Sequence, residues 1–248
     1  MAAAVSAAAL RALHVPGDPL VLPNVWDAAS ARVVADAGFP AVATASHAVC
    51  EALGYAGGVG ASADEVFDVV ARVARAVDVP VTADVERGYG LPGAVLAERL
   101  AAAGAVGCNL EDSDPATGGL VGSWEQVALL RAVREADPEL VINARVDVFL
   151  RGGEGGYDDA VARARAYLAA GADCVFPILL PVDLVARFVA DVGGPVNVLH
   201  RPGDPTPAAV ARWGVARVSL GPNLHRASMA HLAEVVAGVR AGGGLARR

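Results

Sequence analysis

The segments VTADVE (81–86), GCNLED (107–112) and VINARVD (141–147) are successive apolar runs that each end in charged residues. In a parallel α/β barrel the carboxyl ends of the strands meet on one face, and the active site lies on that face. Carboxylates at the ends of neighbouring strands therefore indicate a barrel with a metal or substrate site at its mouth. The pattern as a whole, more than any single residue, predicts an enzyme.

Eight apolar runs of this kind alternate with helical segments along the chain. The other five lie at 20–26, 41–46, 174–179, 196–200 and 217–222. The alternation continues without a break in composition, which predicts one (β/α)8 barrel of the TIM type, class α/β, over residues 1–248. The alternative is an open doubly wound sheet. That fold would require a glycine fingerprint after its first strand, and PNVWDAAS (23–30) has none.

Composition limits the class of protein and its partners. With 248 residues and 54% hydrophobic content the chain can bury a large core, and no apolar run reaches the length of about 18 residues that a membrane span needs. The net charge of −7 with scattered arginines argues against nucleic acid as a partner. Three widely spaced cysteines, Cys50, Cys108 and Cys174, indicate reduced thiols in a cytoplasmic protein.

The amino-terminal segment is rich in alanine but has no basic n-region. We interpret Met1–Leu10 as a helix that covers one end of the fold, within a helical extension of residues 1–18, and not as a signal peptide.

The chain contains no lysine. This absence excludes a Schiff-base aldolase mechanism and pyridoxal-phosphate chemistry, because both need a lysine amine. It also excludes a P-loop, in which a lysine contacts the nucleotide phosphates.

Three acids are candidate metal ligands. Asp84 and Glu86 are separated by one residue, so on a strand they point to the same side, where Glu111 from the next strand could join them. Carboxylate oxygens suit Mg²⁺ or Mn²⁺ rather than zinc. The alternative is that these acids form ion pairs with arginines such as Arg87 or Arg145, or bind helix N-termini.

Arg145 is the candidate for binding a substrate carboxylate. It lies between apolar residues of the strand, and a buried guanidinium requires a carboxylate or phosphate partner. A salt bridge to Asp147, Asp112 or Glu111 is the alternative. In the loop after the second run, Thr44, Ala45 and Ser46 offer hydroxyls and backbone N–H groups for a carboxylate or oxyanion.

Four side chains are candidate proton carriers, and the sequence does not choose among them: His47, Asp112, Asp114 and His200. His47 and His200 are close to the predicted mouth, although a single histidine is more often structural than catalytic.

The ordered motifs PNVWDAASARVVADAGFPAVATAS, LGY, VTADVERGYG, CNLEDS, INARVDVFL and GADCVFP, which span about residues 20–222, resemble the isocitrate lyase/phosphoenolpyruvate mutase superfamily and its phosphonomutase-like branch. The resemblance implies a barrel that binds Mg²⁺ and a 2-oxo or dicarboxylic acid. It further implies that a C–C or P–C bond next to a carbonyl is made or broken through a metal-stabilised enolate, in a homo-oligomer (dimer or tetramer).

The resemblance also assigns roles to residues. Asp84 matches the direct metal ligand, while Glu86 and Glu111 match acids that reach the metal through water. Arg145 matches the arginine that binds the substrate carboxylate, and the segment from Thr44 to Ser46 matches the loop that holds the substrate.

Two departures from the family pattern affect the expected reaction. The loop EDSDPATGGLVGSWEQ (111–126) has neither the lysine nor the cysteine of the family's catalytic loop, and Gly57 replaces a second acid near the metal. We therefore expect a Mg²⁺-dependent lyase acting on a small 2-oxo or 2-hydroxy dicarboxylate, but not one of the isocitrate, methylisocitrate or phosphoenolpyruvate reactions. Two alternatives remain: P–C chemistry on a phosphonate, and a degenerate barrel that only binds a 2-oxo acid.

Overall fold

The computed structural model describes residues 5–151 and 156–244, and over these residues the chain forms the expected barrel. The strands, in chain order, are β1 (Leu20–Leu22), β2 (Asn24–Val25), β3 (Val42–Thr44), β4 (Val81–Asp84), β5 (Gly107–Leu110), β6 (Val141–Val146), β7 (Cys174–Pro177), β8 (Asn197–Leu199) and β9 (Arg217–Ser219). Each of the eight predicted runs contains a strand, so the prediction from alternating apolar runs is confirmed.

Most helices lie between successive strands on the outside of the barrel, while the first precedes β1 and the last follows β9. They are α1 (Ala7–Ala12), α2 (Ala28–Asp36), α3 (Ser46–Ala52), α4 (Ala63–Ala74), α5 (Gly93–Ala102), α6 (Ser123–Ala136), α7 (Gly156–Ala169), α8 (Val185–Val192), α9 (Pro207–Ala211) and α10 (Asn223–Arg240). Short 3₁₀ turns occur at Ala56–Gly58 and Val182–Leu184.

The strand order closes the barrel. Strands β2 to β7 form a six-stranded sheet in chain order, and β1, β9 and β8 form a second sheet, with all pairings parallel. β1 and β2 flank Pro23 and act as one barrel strand, because β1 pairs with β9 and β2 pairs with β3. On the other side, an isolated parallel bridge joins Val175 to Val196. In the described part of the chain the carboxyl ends of all strands therefore face one mouth.

Helix α4 shows how local sequence produces an element. The Ser62 side chain accepts a hydrogen bond from the Glu65 backbone N–H, and the Glu65 carboxylate accepts one from the Ser62 N–H at 2.9 Å. This capping box satisfies two N–H groups that have no partner within the helix. The apolar positions of the helix are buried against the barrel: Val66, Phe67, Val69, Val70 and Val73.

The amino-terminal helix covers the end of the barrel opposite the mouth. Leu10 of α1 is fully buried with Leu20, Leu22 and Val141 in a small apolar cluster at the start of the strands. The predicted helix at Met1–Leu10 is thus observed as Ala7–Ala12, and residues 1–4 lie outside the described residues.

Helix α10 follows the last strand, and most of its surface is exposed. His225 is its buried residue, and Met229, Leu232 and Val236 are each at least 44% exposed. Among the described residues, none of the helices combines the length and apolar character needed to cross a membrane.

Candidate active site

Asp84 at the end of β4 is held by the chain that follows β3. Its Oδ2 atom accepts hydrogen bonds from the Ser46 backbone N–H at 3.1 Å and from the Ser46 hydroxyl at 3.0 Å. The Asp84 backbone N–H donates to the Thr44 hydroxyl at 2.9 Å. The predicted segment from Thr44 to Ser46 and the predicted metal ligand Asp84 therefore lie together, and the contacts fix the orientation of the Asp84 carboxylate.

The turn after β4 has an unusual backbone. Glu86 and Tyr89 have positive φ angles of 50° and 55°, and Gly88 and Gly90 between and after them also have positive φ. A non-glycine residue in this region costs free energy and persists only where its surroundings impose it, which occurs often at functional sites. The Tyr89 hydroxyl is buried and has no hydrogen-bond partner among the described residues.

Glu111 lies next to the same turn and pairs with Arg145. Its backbone N–H donates to the Glu86 carbonyl at 2.8 Å, which holds the β4 and β5 ends together. Its carboxylate accepts a short hydrogen bond from Arg145 Nη1. Asp84, Glu86 and Glu111 are thus brought to one region of the mouth, as the sequence predicted.

Arg145 is held by two carboxylates and still has donors left. Its Nε and Nη2 atoms donate to the two oxygens of Asp147, each at 2.8 Å, and its Nη1 donates to Glu111. Of the five N–H groups of a guanidinium, these bonds use three, which leaves two for a substrate carboxylate. This geometry is compatible with both roles considered for Arg145, as a partner in ion pairs and as a ligand of a substrate carboxylate.

The charges of the acids depend on one another. Burial raises the pKa of Glu86, and the neighbouring Asp84 carboxylate raises it further. Burial also raises the pKa of Glu111, Arg145 opposes that shift, and Asp84, Asp147 and Glu86 add to it. Carboxylates that disfavour one another's charge in this way gain from a bound cation.

The acids fit a hydrated divalent cation. Among the described residues 5–151 and 156–244, no three His, Cys, Asp or Glu side chains are arranged to hold an ion directly. Mg²⁺ commonly retains several waters and is bound through one or two carboxylates. Asp84, with its orientation fixed by Ser46, suits direct binding, and Glu86 and Glu111 suit contact through water.

Asp112 lies in a buried network. Its Oδ2 atom accepts from Tyr167 at 2.7 Å and from Arg163 at 3.1 Å, and its Oδ1 accepts from the Asp147 backbone N–H at 2.8 Å. Burial raises its pKa, and the Tyr167 hydrogen bond opposes the shift. Because both oxygens are engaged, the geometry favours a structural role, and the prediction of Asp112 as a proton carrier gains no support.

The two predicted histidines have different surroundings. His47 Nε2 is 3.3 Å from Glu51 of α3 and 3.3 Å from Arg226 of α10, so the imidazole lies between these two helices. His200 follows β8 at the mouth end of that strand, and its imidazole forms no hydrogen bond with the described residues.

Several residues of the site were not singled out from the sequence. Arg163 and Tyr167 are four residues apart on α7, so they lie on one face of that helix and both contact Asp112. That four-residue spacing is visible in the sequence and indicates that the two side chains share a helix face. Arg217 of β9, whose guanidinium is fully buried inside the barrel, gave no such signal because its strand reads as an ordinary apolar run.

Comparison with known proteins places the chain in a family. The family model described as phosphoenolpyruvate phosphomutase matches residues 10–240. An uncharacterized protein of Mycobacterium tuberculosis (strain H37Rv) is 34% identical over 228 residues, covering 90% of this chain and 87% of that protein. The oxaloacetate decarboxylase of Rhodopseudomonas palustris (strain CGA009) is 36% identical over 180 residues, covering 68% of this chain and 61% of that enzyme.

A solved structure shows the same architecture. A Burkholderia cenocepacia J2315 protein, provisionally assigned as a phosphonomutase, superposes with a TM-score of 0.86 at 43% identity and covers 94% of this chain and 99% of its own. The barrel is therefore the fold of known relatives as well as of the present structure.

Proposed function

The chain belongs to the phosphoenolpyruvate phosphomutase family, and we propose that it is a Mg²⁺-dependent lyase that breaks a C–C bond of a small 2-oxo or 2-hydroxy dicarboxylate. The observation that carries the proposal is the carboxylate of Asp84, oriented by two hydrogen bonds from Ser46 beside Glu86, Glu111 and Arg145. The likeness to an oxaloacetate decarboxylase, an enzyme that breaks a C–C bond, supports it.

The residues of the site would have separate roles in such a reaction. Asp84 would hold the metal directly, with Glu86 and Glu111 contacting it through water. When bound, Mg²⁺ would polarise the oxygen next to the breaking bond and stabilise the negative charge that develops there. The two remaining N–H groups of Arg145 would fix a substrate carboxylate, and the ion pairs to Asp147 and Glu111 keep the guanidinium in place.

Among the four candidate proton carriers we propose His200. Asp112 and His47 are engaged by other side chains, and Asp114 binds the Ala116 N–H and the Thr117 hydroxyl of its own loop. The His200 imidazole interacts electrostatically with Asp204 but forms no hydrogen bond or ion pair within the described residues, and it follows β8 at the mouth end. A group that takes or gives a proton must be able to contact the substrate.

P–C chemistry on a phosphonate is the second candidate. It is supported by the 43% identity to the provisionally assigned phosphonomutase. A phosphonate carries more charge than a carboxylate, and Arg87 and Arg201 are additional cations after β4 and β8 that could bind it.

We further propose that the protein acts in the cytoplasm as a homo-oligomer. The three cysteines are free and buried, in keeping with a reducing compartment. The exposed apolar side chains of α10, including Met229, Leu232 and Val236, supply area that a second subunit could cover. Light scattering of the purified protein would give the number of subunits.

The first test is thermal unfolding with and without Mg²⁺ in the presence of oxaloacetate, 2-oxoglutarate, phosphonopyruvate or methylisocitrate. A ligand at 100 times its dissociation constant adds about 2.7 kcal/mol to the free energy of unfolding. We expect a Mg²⁺-dependent rise with one of the dicarboxylates, followed by turnover of that compound. The rise should be absent in Asp84→Ala and retained in Asp36→Ala, which changes an exposed acid of α2.

Other outcomes would favour a different function or refute the metal site. A rise with phosphonopyruvate alone favours the phosphonate reaction, and a rise without turnover of any compound favours a barrel that only binds a 2-oxo acid. The same response to Mg²⁺ in Asp84→Ala and in the wild type would refute the metal site.

A further inference from the structure

A chain of five polar side chains crosses the interior of the barrel. Asn143 Nδ2 donates to Asn109 Oδ1 at 2.8 Å, and Arg217 Nη2 donates to the same oxygen at 3.3 Å. Arg217 Nε donates to Ser219 Oγ at 3.2 Å, and Asn197 Nδ2 donates to Ser219 Oγ at 3.0 Å. The chain connects β6, β5, β9 and β8, and each of its members is at most 4% exposed.

Arg217 is the charged member of this chain, and it has no counter-ion. Its side chain is fully buried, and among the described residues no carboxylate lies within 4.0 Å of its guanidinium. Its Nη1 atom has no hydrogen-bond partner. Burial lowers the pKa of Arg217 to about 10. Hydrogen bonds of 3.2 and 3.3 Å to neutral oxygens do not offset the loss of hydration of a full charge.

Two carboxylates at the mouth have no ion-pair partner among the described residues. Glu111 pairs with Arg145 and Asp112 pairs with Arg163, but within residues 5–151 and 156–244 neither Asp84 nor Glu86 forms an ion pair. The mouth thus contains two carboxylates without a direct ion pair, although the nearby Arg145 opposes the rise that burial causes in the pKa of Glu86. The interior contains one guanidinium that forms no ion pair with the described residues.

Asn109 connects these two groups. Its side chain accepts the Arg217 hydrogen bond, and its backbone is the register partner of Asp84 on the neighbouring strand. The Asn109 carbonyl also accepts from the Val85 N–H, which lies between Asp84 and Glu86 in sequence. Asp84 is the carboxylate whose charge raises the pKa of Arg217 against the effect of burial, so the two charges interact through the barrel interior.

We propose that Arg217 is a positioning residue for Asp84: it holds Asn109 against the strand that bears Asp84, and its buried charge attracts the Asp84 carboxylate from the barrel interior when no divalent cation is bound. This inference rests on the Mg²⁺ site of the proposed function.

Arg217 and Mg²⁺ both carry positive charge and both act on the Asp84 carboxylate, so Arg217 weakens Mg²⁺ binding. Removal of the charge should therefore tighten Mg²⁺ binding. A residue with only a structural role would have the opposite effect, because loosening the site weakens binding.

The experiment is calorimetric titration of the full chain with MgCl₂ at low ionic strength, where electrostatic effects are least screened. Arg217→Gln removes the charge but keeps an amide that can contact Asn109 and Ser219. Arg217→Lys keeps the charge but loses the planar fork. We expect the Mg²⁺ dissociation constant of Arg217→Gln to fall by about tenfold and that of Arg217→Lys to stay within about twofold of the wild type.

Thermal unfolding gives a second readout. Mg²⁺ should raise the unfolding midpoint of Arg217→Gln by more than it raises that of the wild type. If Arg217→Gln does not fold, Arg217→Lys alone decides, because loss of more than about twofold in Mg²⁺ affinity with the charge retained contradicts a charge effect.

The controls separate this inference from the proposed function. Asp84→Ala should lose Mg²⁺ binding. If the wild type binds no Mg²⁺, the metal site and this inference both fail. If the wild type binds Mg²⁺ and Arg217→Gln binds it equally or more weakly, only the role of Arg217 is refuted.

Discussion

Arg145 and Asp147, separated by one residue at the end of β6, form a two-pronged ion pair in which Nε–Oδ1 and Nη2–Oδ2 are both 2.8 Å. The planar guanidinium matches the two carboxylate oxygens, so the pair fixes the rotation of the side chain as well as its position. Asp147 is fixed in turn by the Ser113 hydroxyl and by its own N–H bond to Asp112. The candidate substrate ligand is thus supported by residues that need not touch a substrate.

Arg145→Lys should lower kcat/KM by at least about 100-fold, since a single ammonium cannot bind Asp147 with two bonds and also present two donors to a carboxylate. The measurement is steady-state turnover of the compound found in the thermal screen. Arg134→Lys is the matched control, because Arg134 binds backbone carbonyls of Pro138, Leu140 and Gly171. It should lower stability and leave kcat/KM unchanged. Equal losses in both variants would contradict the role of Arg145.

Ser46→Ala should reduce kcat/KM by about tenfold, because it removes one hydrogen bond to the Asp84 carboxylate and leaves the backbone N–H bond in place. Ser62→Ala is the control. It removes the cap of α4 and should cost about 1 kcal/mol in free energy of unfolding without changing kcat/KM. An unchanged kcat/KM in Ser46→Ala would show that the hydroxyl does not orient Asp84.

Asp112→Asn should lower the free energy of unfolding by about 3 kcal/mol, because it leaves the half-buried Arg163 short of its buried anionic partner. Asp159→Asn removes the other acid that pairs with Arg163, one that is 44% exposed, and should cost less than about 0.5 kcal/mol. Urea unfolding of both variants at one pH compares them. Similar costs would mean that burial of the Asp112 pair is not what stabilises this network.

Acidification should destabilise the protein through His14. Burial, with a contribution from Arg217, lowers the pKa of His14 from 6.5 to about 4. Above pH 6.5 the His14 imidazole is neutral in both the folded and the unfolded states, so its titration does not change the free energy of unfolding there. Between pH 6.5 and 4 the unfolded state binds the proton more readily, so the free energy of unfolding falls as the pH falls.

The comparison is urea unfolding of the wild type and His14→Gln at several pH values. Over the range from 7 to 4 the wild type should lose up to about 3 kcal/mol more than the variant, which has no titrating group at this position. Parallel pH curves for the two proteins would show that His14 is not held neutral by the fold.

The barrel could be predicted from the sequence because the patterns that specify its strands and helices are local. Apolar runs of five to seven residues that alternate with amphipathic segments specify strands and helices by their own periodicity, as Ser62 and Glu65 specify the start of α4. The acids Asp84, Glu86 and Glu111 were predicted together for the same reason. Parallel strands with charged ends place those ends on one face of any closed barrel.

The ion-pair and hydrogen-bond partners of the charged residues could not be predicted from the sequence, because they depend on distances between residues far apart in the chain. Glu111 and Arg145 are 34 residues apart, Asp112 and Tyr167 are 55 apart, and Arg217 and Asn109 are 108 apart. The sequence therefore determined that acids and an arginine gather at the mouth of a barrel. Only the tertiary structure decided that Arg145 and Arg163 pair with Glu111 and Asp112, while Asp84 and Glu86 form no ion pair with the described residues. Electrostatic pairing depends on distance and burial in the folded chain.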